Sequence, residues 1–226
     1  MNNAPSPIWT HSTTEVNMTG TWRSQLPDYQ KSPSPCHNAC PVNGNIATWI
    51  QQVKAKDYYA AWLTLMDNNP FPAIAGRVCH HPCETPCNRK ELDEPVAICS
   101  LERFVGDIAL QEKWEIPVSE KTKNERVAVV GGGPSGLSAA YQLRRKGYSV
   151  TLLESNDELG GLMRYGIPAY RLSKSILDGE IQRIIDSGIE VRRGVVVQGV
   201  DQLKKLRSEF DAVYVAIGAG KSKPLP

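Results

Sequence analysis

Six cysteines and one run of glycines hold the chemistry this sequence can offer. Cys36 and Cys40 stand in C-x3-C-P, closed by Pro41. Cys79, Cys83 and Cys87 stand in C-x3-C-x3-C, and Cys99 lies 12 residues further on. Thiols grouped this closely suit a soft metal, held as zinc or as an iron–sulfur centre. C-x3-C-P is how the bacterial ferredoxin run ends, with proline turning the chain away. Zinc sites more often pair C-x2-4-C with spaced histidines. His80 and His81 are adjacent and make poor tetrahedral partners, so with His37 they read as supporting or surface residues. The spacing favours iron–sulfur over zinc.

The glycines follow a strand. Val127 to Val130 are β-branched or small throughout, as a buried parallel strand requires. Gly131, Gly133 and Gly136 then fit G-x-G-x-x-G, with Pro134 and Ser135 inside the run. The first glycine permits a tight turn, the second admits a pyrophosphate, and the third lets helix pack on strand. Leu137, Ala140, Tyr141 and Leu143 recur at helical spacing, Gly147 ends the helix, and Ser149 to Leu153 form a second strand. That strand ends at Glu154, 18 residues after Gly136, where a carboxylate meets a ribose hydroxyl. A carboxylate there repels a 2′-phosphate, so the nucleotide is expected to be FAD or NAD rather than NADP.

The remaining chain must position these two groups. Ile46, Trp49, Ile50 and Val53 keep helical spacing, as do Tyr58, Ala61, Trp62 and Leu65, and Asn68, Asn69 and Pro70 end the second helix. This predicts a helical hairpin between the two cysteine groups. Pro82 and Pro86 predict an irregular loop around the second group. Residues 101–110 read as a helix closing the first domain. Beyond Glu154, Gly160 and Gly161 allow close backbone approach to a ligand. Ser173 caps a helix that Gly188 ends. Residues 189–191, 195–197 and 212–217 read as strands, with a short helix carrying Leu203 and Leu206.

The expected organisation is an extended arm over 1–35, anchored by Trp9 and Trp22, a helical cluster-binding domain over 36–114, a linker over 115–125 and a nucleotide domain over 126–226. The fold class is α + α/β, a helical domain followed by a Rossmann-like domain. With 41% apolar residues the chain can bury a core, and a net charge of +2 gives no argument for nucleic acid. No stretch approaches the roughly 18 apolar residues of a membrane span, and the start lacks a signal-peptide core. The expectation is a cytoplasmic protein, where cysteines serve metal or catalysis before disulfides. No residue reads as a general acid or base.

Together these motifs resemble a family. Cys36-x3-Cys40-Pro41, the hairpin, GRVC-x3-C-x3-C at 76–87, V-x-I-x-x-L-E-R-F at 96–104, and then GGGPSGL, GG and YGIP are similar to the small chain of NAD(P)H-dependent glutamate synthase. They also resemble the amino-terminal part of dihydropyrimidine dehydrogenase, over about residues 20–226. The resemblance implies an electron-input module in which NAD(P)H passes hydride to FAD and [4Fe–4S] clusters carry electrons singly to a partner subunit. It implies FAD pyrophosphate at Gly131, Gly133, Pro134, Ser135 and Gly136, ribose at Glu154, and flavin contacts from Gly160, Gly161, Leu162, Arg171 and Val197. It assigns Cys40, Cys79 and Cys83 to one cluster, with a fourth ligand at the place of Glu102, and Cys36 and Cys87 to another.

Two departures stand out. The additional C-x2-C of two-cluster relatives falls here on about Asp28 and Lys31, which leaves at least one [4Fe–4S] centre expected. Cys99 is outside the family pattern and can replace a ligand. The family also continues past the 216–219 strand end into an NAD(P)H-binding domain and then completes the FAD domain. The chain is thus expected to be a truncated, amino-terminal portion whose NAD(P)H-binding remainder lies elsewhere. Alone it is expected to hold FAD incompletely and not to oxidise NAD(P)H. The rival reading is a non-catalytic docking module with bound zinc or cluster and a vestigial nucleotide fold.

Overall fold

Val127, Ala128, Val129 and Val130 are all buried, and strand β1 (Arg126–Val130) lies inside a four-stranded parallel sheet. The computed structural model describes residues 32–118, 120 and 123–219. The arm residues Trp9 and Trp22, the positions Asp28 and Lys31, and linker residues 119, 121 and 122 lie outside them.

The sheet order is β3-β2-β1-β4, with β2 at Ser149–Leu153, β3 at Glu190–Arg192 and β4 at Ala212–Val215. Val127 aligns with Val150 on one side and Ala212 on the other. Helix α6 (Pro134–Arg145) makes the β1-to-β2 crossover. Short α7 (Leu162–Tyr165) and α8 (Lys174–Asp186) lie between β2 and β3, and α9 (Gly199–Glu209) precedes β4. Ser173 caps α8 by accepting from the Ile176 amide. Residues 195–197 are not a strand. Gly194 turns the chain with φ of 69°, and the segment makes one backbone bond to the sheet end, Val195 N–H to the Glu154 carbonyl.

Ahead of the sheet come α1 (Pro35–Ala39), α2 (Ile46–Lys54), α3 (Tyr58–Met66), α4 (Pro72–Val78) and α5 (Ile98–Gln111). The expected hairpin is α2 and α3, whose Trp49 and Trp62 are fully buried. Helix α4 carries no apolar period long enough to read in advance. It is proline-led and seven residues long. Its partner is α5, and two glycines set the crossing. A Cβ on Gly76 would lie 2.4 Å from the Arg103 nitrogen, and one on Gly106 would lie 2.4 Å from the Ala73 nitrogen. Backbones approach this closely only where neither helix has a side chain between them.

The helices and the sheet share one core. Trp49, Trp62, Ile74 and Val105 belong to the same buried cluster as Val129, Leu137 and Ile184. Polar ties cross the seam as well. The Tyr141 hydroxyl donates to the Met66 carbonyl at 2.8 Å, and Arg145 pairs with Asp67 at 2.6 Å. The Arg183 guanidinium lies 5.2 Å from the Trp62 ring centre. The described residues from Ser34 onward form one compact unit. No helix among them is long and apolar enough to cross a membrane.

Candidate functional site

The second cysteine group is built by the end of α4. Cys79 is the C-cap of that helix, and residues 79–87 run on as an irregular loop, as the prolines require. Cys83 is buried, while Cys79 is exposed at its edge. Burial pushes the Cys83 thiol up to about 12, with Cys40, Glu84 and Cys79 close enough to add repulsion. Cys40 follows α1 as its C-cap and is half-buried.

Backbone amides point at these sulfurs. Gly44 N–H donates to Cys40 Sγ at 3.4 Å, and His81 N–H donates to Cys79 Sγ at 3.3 Å. Val96 N–H donates to Cys87 Sγ at 3.5 Å and holds that thiol below its ordinary range. Such bonds stabilise charge on sulfur and tune thiolate-bound clusters. The donor set thus fits a thiolate-held centre. Among the described residues no three His, Cys, Asp or Glu side chains stand close enough to chelate one ion. In a [4Fe–4S] centre each thiolate takes its own iron, so its ligands need not converge on one atom.

Helix α5 supplies the wall facing this loop. Cys99 lies in its first turn and Glu102 one turn later. Glu102 is buried and occupied. Its Oε1 accepts from Asn69 Nδ2 at 2.8 Å, and its Oε2 lies 2.9 Å from His81 Nε2. His81 Nδ1 lies 2.9 Å from the Cys79 carbonyl. Both ring nitrogens face oxygen, and Glu102 raises the His81 pKa. This chain of side chains was not legible in the sequence, where His81 read as a surface or supporting residue. Cys36 contacts Ser34 Oγ at 3.1 Å, and no hydrogen bond among the described residues joins any two of the six thiols.

The glycine run forms the second part of the site. Gly131 turns with φ of 107°, and a Cβ there would strike the Ala216 carbonyl at 2.3 Å. A Cβ on Gly136 would lie 1.8 Å from the Gly131 carbonyl, so this glycine seats α6 on β1. Gly133 is the N-cap of α6 and has no side chain to cap the first turn, which leaves the amides there for an anion. Facing it are Gly160 and Gly161. The Gly160 amide donates to the Gly132 carbonyl at 2.8 Å.

Glu154 closes this cradle. Its Oε2 accepts from the Gly132 amide at 2.6 Å. Its Oε1 takes the Asn156 amide at 2.8 Å and the Ser155 hydroxyl at 3.1 Å. Burial works against the charge, but the Asn156 and Gly132 amides outweigh it and hold the carboxyl below its ordinary range. Glu154 is therefore an ionised acceptor beside the glycine turn. Ser135 Oγ lies 3.0 Å from the Tyr214 hydroxyl on β4. Leu162 begins α7 beside Gly161 and is largely exposed. Arg171 is exposed, and Val197 lies in the segment crossing at the Glu154 end of β2; no described contact brings either to the glycines. The described cavity of about 250 Å³ is lined by Trp62, Ile116, Tyr141 and Arg145, and its lining includes neither the thiols nor the glycine turns.

Residues 29–114 match the family of dihydropyrimidine dehydrogenase domain II, 4Fe-4S cluster. Residues 129–178 match the NAD(P)-binding Rossmann-like domain family. The chain is a relative of the glutamate synthase small chain and of dihydropyrimidine dehydrogenase. It is 42% identical over 193 residues to the glutamate synthase [NADPH] small chain of Mycobacterium tuberculosis, covering 84% of this chain and 39% of that one. It is 37% identical over 198 residues to the NADPH-Fe(3+) oxidoreductase subunit beta of Geobacter sulfurreducens, covering 86% and 30%. It is 34% identical over 195 residues to the NAD-dependent dihydropyrimidine dehydrogenase subunit PreT homolog of Salmonella typhi, covering 85% and 47%. The chain thus spans less than half the length of these three relatives.

Proposed function

We propose that this chain is a flavin and iron–sulfur electron-transfer module of an NAD(P)H-dependent oxidoreductase of the glutamate synthase small-chain type. One observation carries the reading. A group of thiols with amides aimed at sulfur and a glycine-lined nucleotide cradle are built onto one continuous core. Residues 36–114 hold the cluster, 115–125 connect, and 126–226 hold the nucleotide. Bound FAD would take up an electron pair as hydride, and the cluster would carry electrons singly.

The chain's own residues have separable tasks in this reading. Gly133 and Gly161 keep the pyrophosphate path open, and the first-turn amides of α6 meet its charge. Glu154 accepts from a ribose hydroxyl, and its negative charge selects against a 2′-phosphate. Leu162, Arg171 and Val197 border the flavin. Cys40, Cys79 and Cys83 bind iron, and the buried seam between helices and sheet keeps the two centres at fixed separation. The electron acceptor is a partner subunit or domain, and NAD(P)H is bound by further protein beyond these residues.

Anaerobic purification of the complete gene product, with analysis of iron, acid-labile sulfide and flavin, tests this. The expected result is all three in the same protein. Zinc without sulfide or flavin would overturn it in favour of a docking module.

A further inference from the structure

We propose that Tyr214 is a positioning residue of the nucleotide site, which holds Ser135 and so sets the first turn of α6 against the cofactor pyrophosphate. The proposal rests on the flavin reading above and deepens it. It begins with how few amides that turn can offer. Pro134 opens α6 and has no N–H, and the Leu137 amide is committed to the Gly133 carbonyl at 2.9 Å. That leaves Ser135 and Gly136, whose amides have no partner among the described residues. Gly136 is seated against the Gly131 carbonyl, where even a Cβ would not fit. Ser135 is exposed and has no such seat. Among the described residues its side chain has one tie, hydroxyl to hydroxyl with Tyr214 at 3.0 Å.

Tyr214 is anchored where such a brace must be. It pairs with Val129 in the register of β1 and β4, and Val129 lies two residues before Gly131. The Ala216 amide donates to the Val130 carbonyl at 2.7 Å, and a Cβ on Gly131 would strike the Ala216 carbonyl at 2.3 Å. The end of β4 is thus fixed to the strand end and turn that lead into the glycines. From this anchor the phenol reaches the first turn of α6. Packing does not account for the tyrosine. It is 43% exposed on an edge strand, and its hydroxyl meets nothing but Ser135 among the described residues. A bond this exposed adds little to folding, but it steadies one of the two amides that must face the same anion. Less ordering is then left for cofactor binding to supply.

The test uses the complete gene product, stripped of flavin, as wild type, Tyr214→Phe, Ser135→Ala and the double variant. FAD affinity is titrated and the phosphorus resonances of bound FAD are recorded, with the melting temperature of the flavin-free protein as the fold control. Tyr214→Phe should bind FAD about threefold to tenfold more weakly, with shifted phosphorus resonances and an unchanged flavin-free melting temperature. The double variant should bind no more weakly than Ser135→Ala, because the two hydroxyls act as one unit. Wild-type affinity in Tyr214→Phe, or losses that add in the double variant, overturns the assignment. An affinity loss with unmoved phosphorus resonances overturns it as well. Wild type that binds no FAD would instead overturn the reading on which the proposal rests.

Discussion

Gly133 and Gly161 face each other across the mouth of the nucleotide cradle. A Cβ on Gly161 would lie 2.8 Å from the Gly133 Cα, whereas a Cβ on Gly133 meets nothing nearer than the Gly161 Cα at 3.8 Å. Gly133 also has extended backbone, with φ of −82° and ψ of −173°, that any residue adopts. The protein itself therefore tolerates a side chain at 133. Gly133→Ala should lose most of its flavin while matching the thermal stability of flavin-free wild type. Normal flavin content in that variant would remove Gly133 from the pyrophosphate path.

Gly136 makes the contrasting case. Its Cβ would sit 1.8 Å from the Gly131 carbonyl, so α6 must lift off β1. Gly136→Ala should lose about 1–3 kcal/mol in denaturant unfolding, whether or not flavin is present. Wild-type stability would mean that this helix has slack the close packing does not show.

The α4–α5 crossing ties helix packing to the metal group. Gly106→Ala places a methyl 2.4 Å from the Ala73 nitrogen, and α4 ends at Cys79. The variant should lose about 1–3 kcal/mol of stability, and its iron content should fall with it. Full iron occupancy at reduced stability would separate the crossing from the cysteine geometry.

Much of this arrangement was readable from residue types, and the reasons differ by element. The strand–glycine–helix–strand unit announces itself because Gly131 and Gly136 answer steric demands of the fold itself. The α2–α3 hairpin is legible through its apolar period, and α8 through the Ser173 cap. Helix α4 is not, because its stability comes from α5 and not from its own pattern. Residues 195–197 carry three valines but pair with no strand among the described residues, so β-propensity misled there. The Asn69–Glu102–His81 chain joins residues 33 and 21 apart, and no local rule brings them together.

The seam between helices and sheet hides a carboxyl group. Glu180 on α8 is 1% exposed, and its Oε1 lies 3.4 Å from Arg183 Nη1. Burial raises its pKa to about 8, against the pull of Arg183, the Ala73 amide and Arg77, with Asp107 adding to the rise. The folded protein then binds a proton that the unfolded chain releases above about 4.5. Stability attributable to this group should fall as pH rises from about 4.5 to about 8, then level off. Glu180→Gln should flatten that slope and gain stability relative to wild type at the alkaline end. Parallel pH profiles for the two proteins would show Glu180 to be ionised throughout.

Tyr141→Phe tests the seam from the other side. It removes the 2.8 Å bond to the Met66 carbonyl and leaves that oxygen without this partner. A loss of about 0.5–1.5 kcal/mol is expected, in a single transition followed equally by flavin fluorescence and by the helical signal. Two separate transitions would show the helices and the sheet unfolding independently despite their shared core.

Reductive titration of the anaerobically prepared complete gene product, followed by absorbance and electron paramagnetic resonance together, addresses the central claim most directly. The account predicts that flavin absorbance bleaches and that a cluster signal responds in the same sample. A protein that stays colourless and silent through the titration would contradict it.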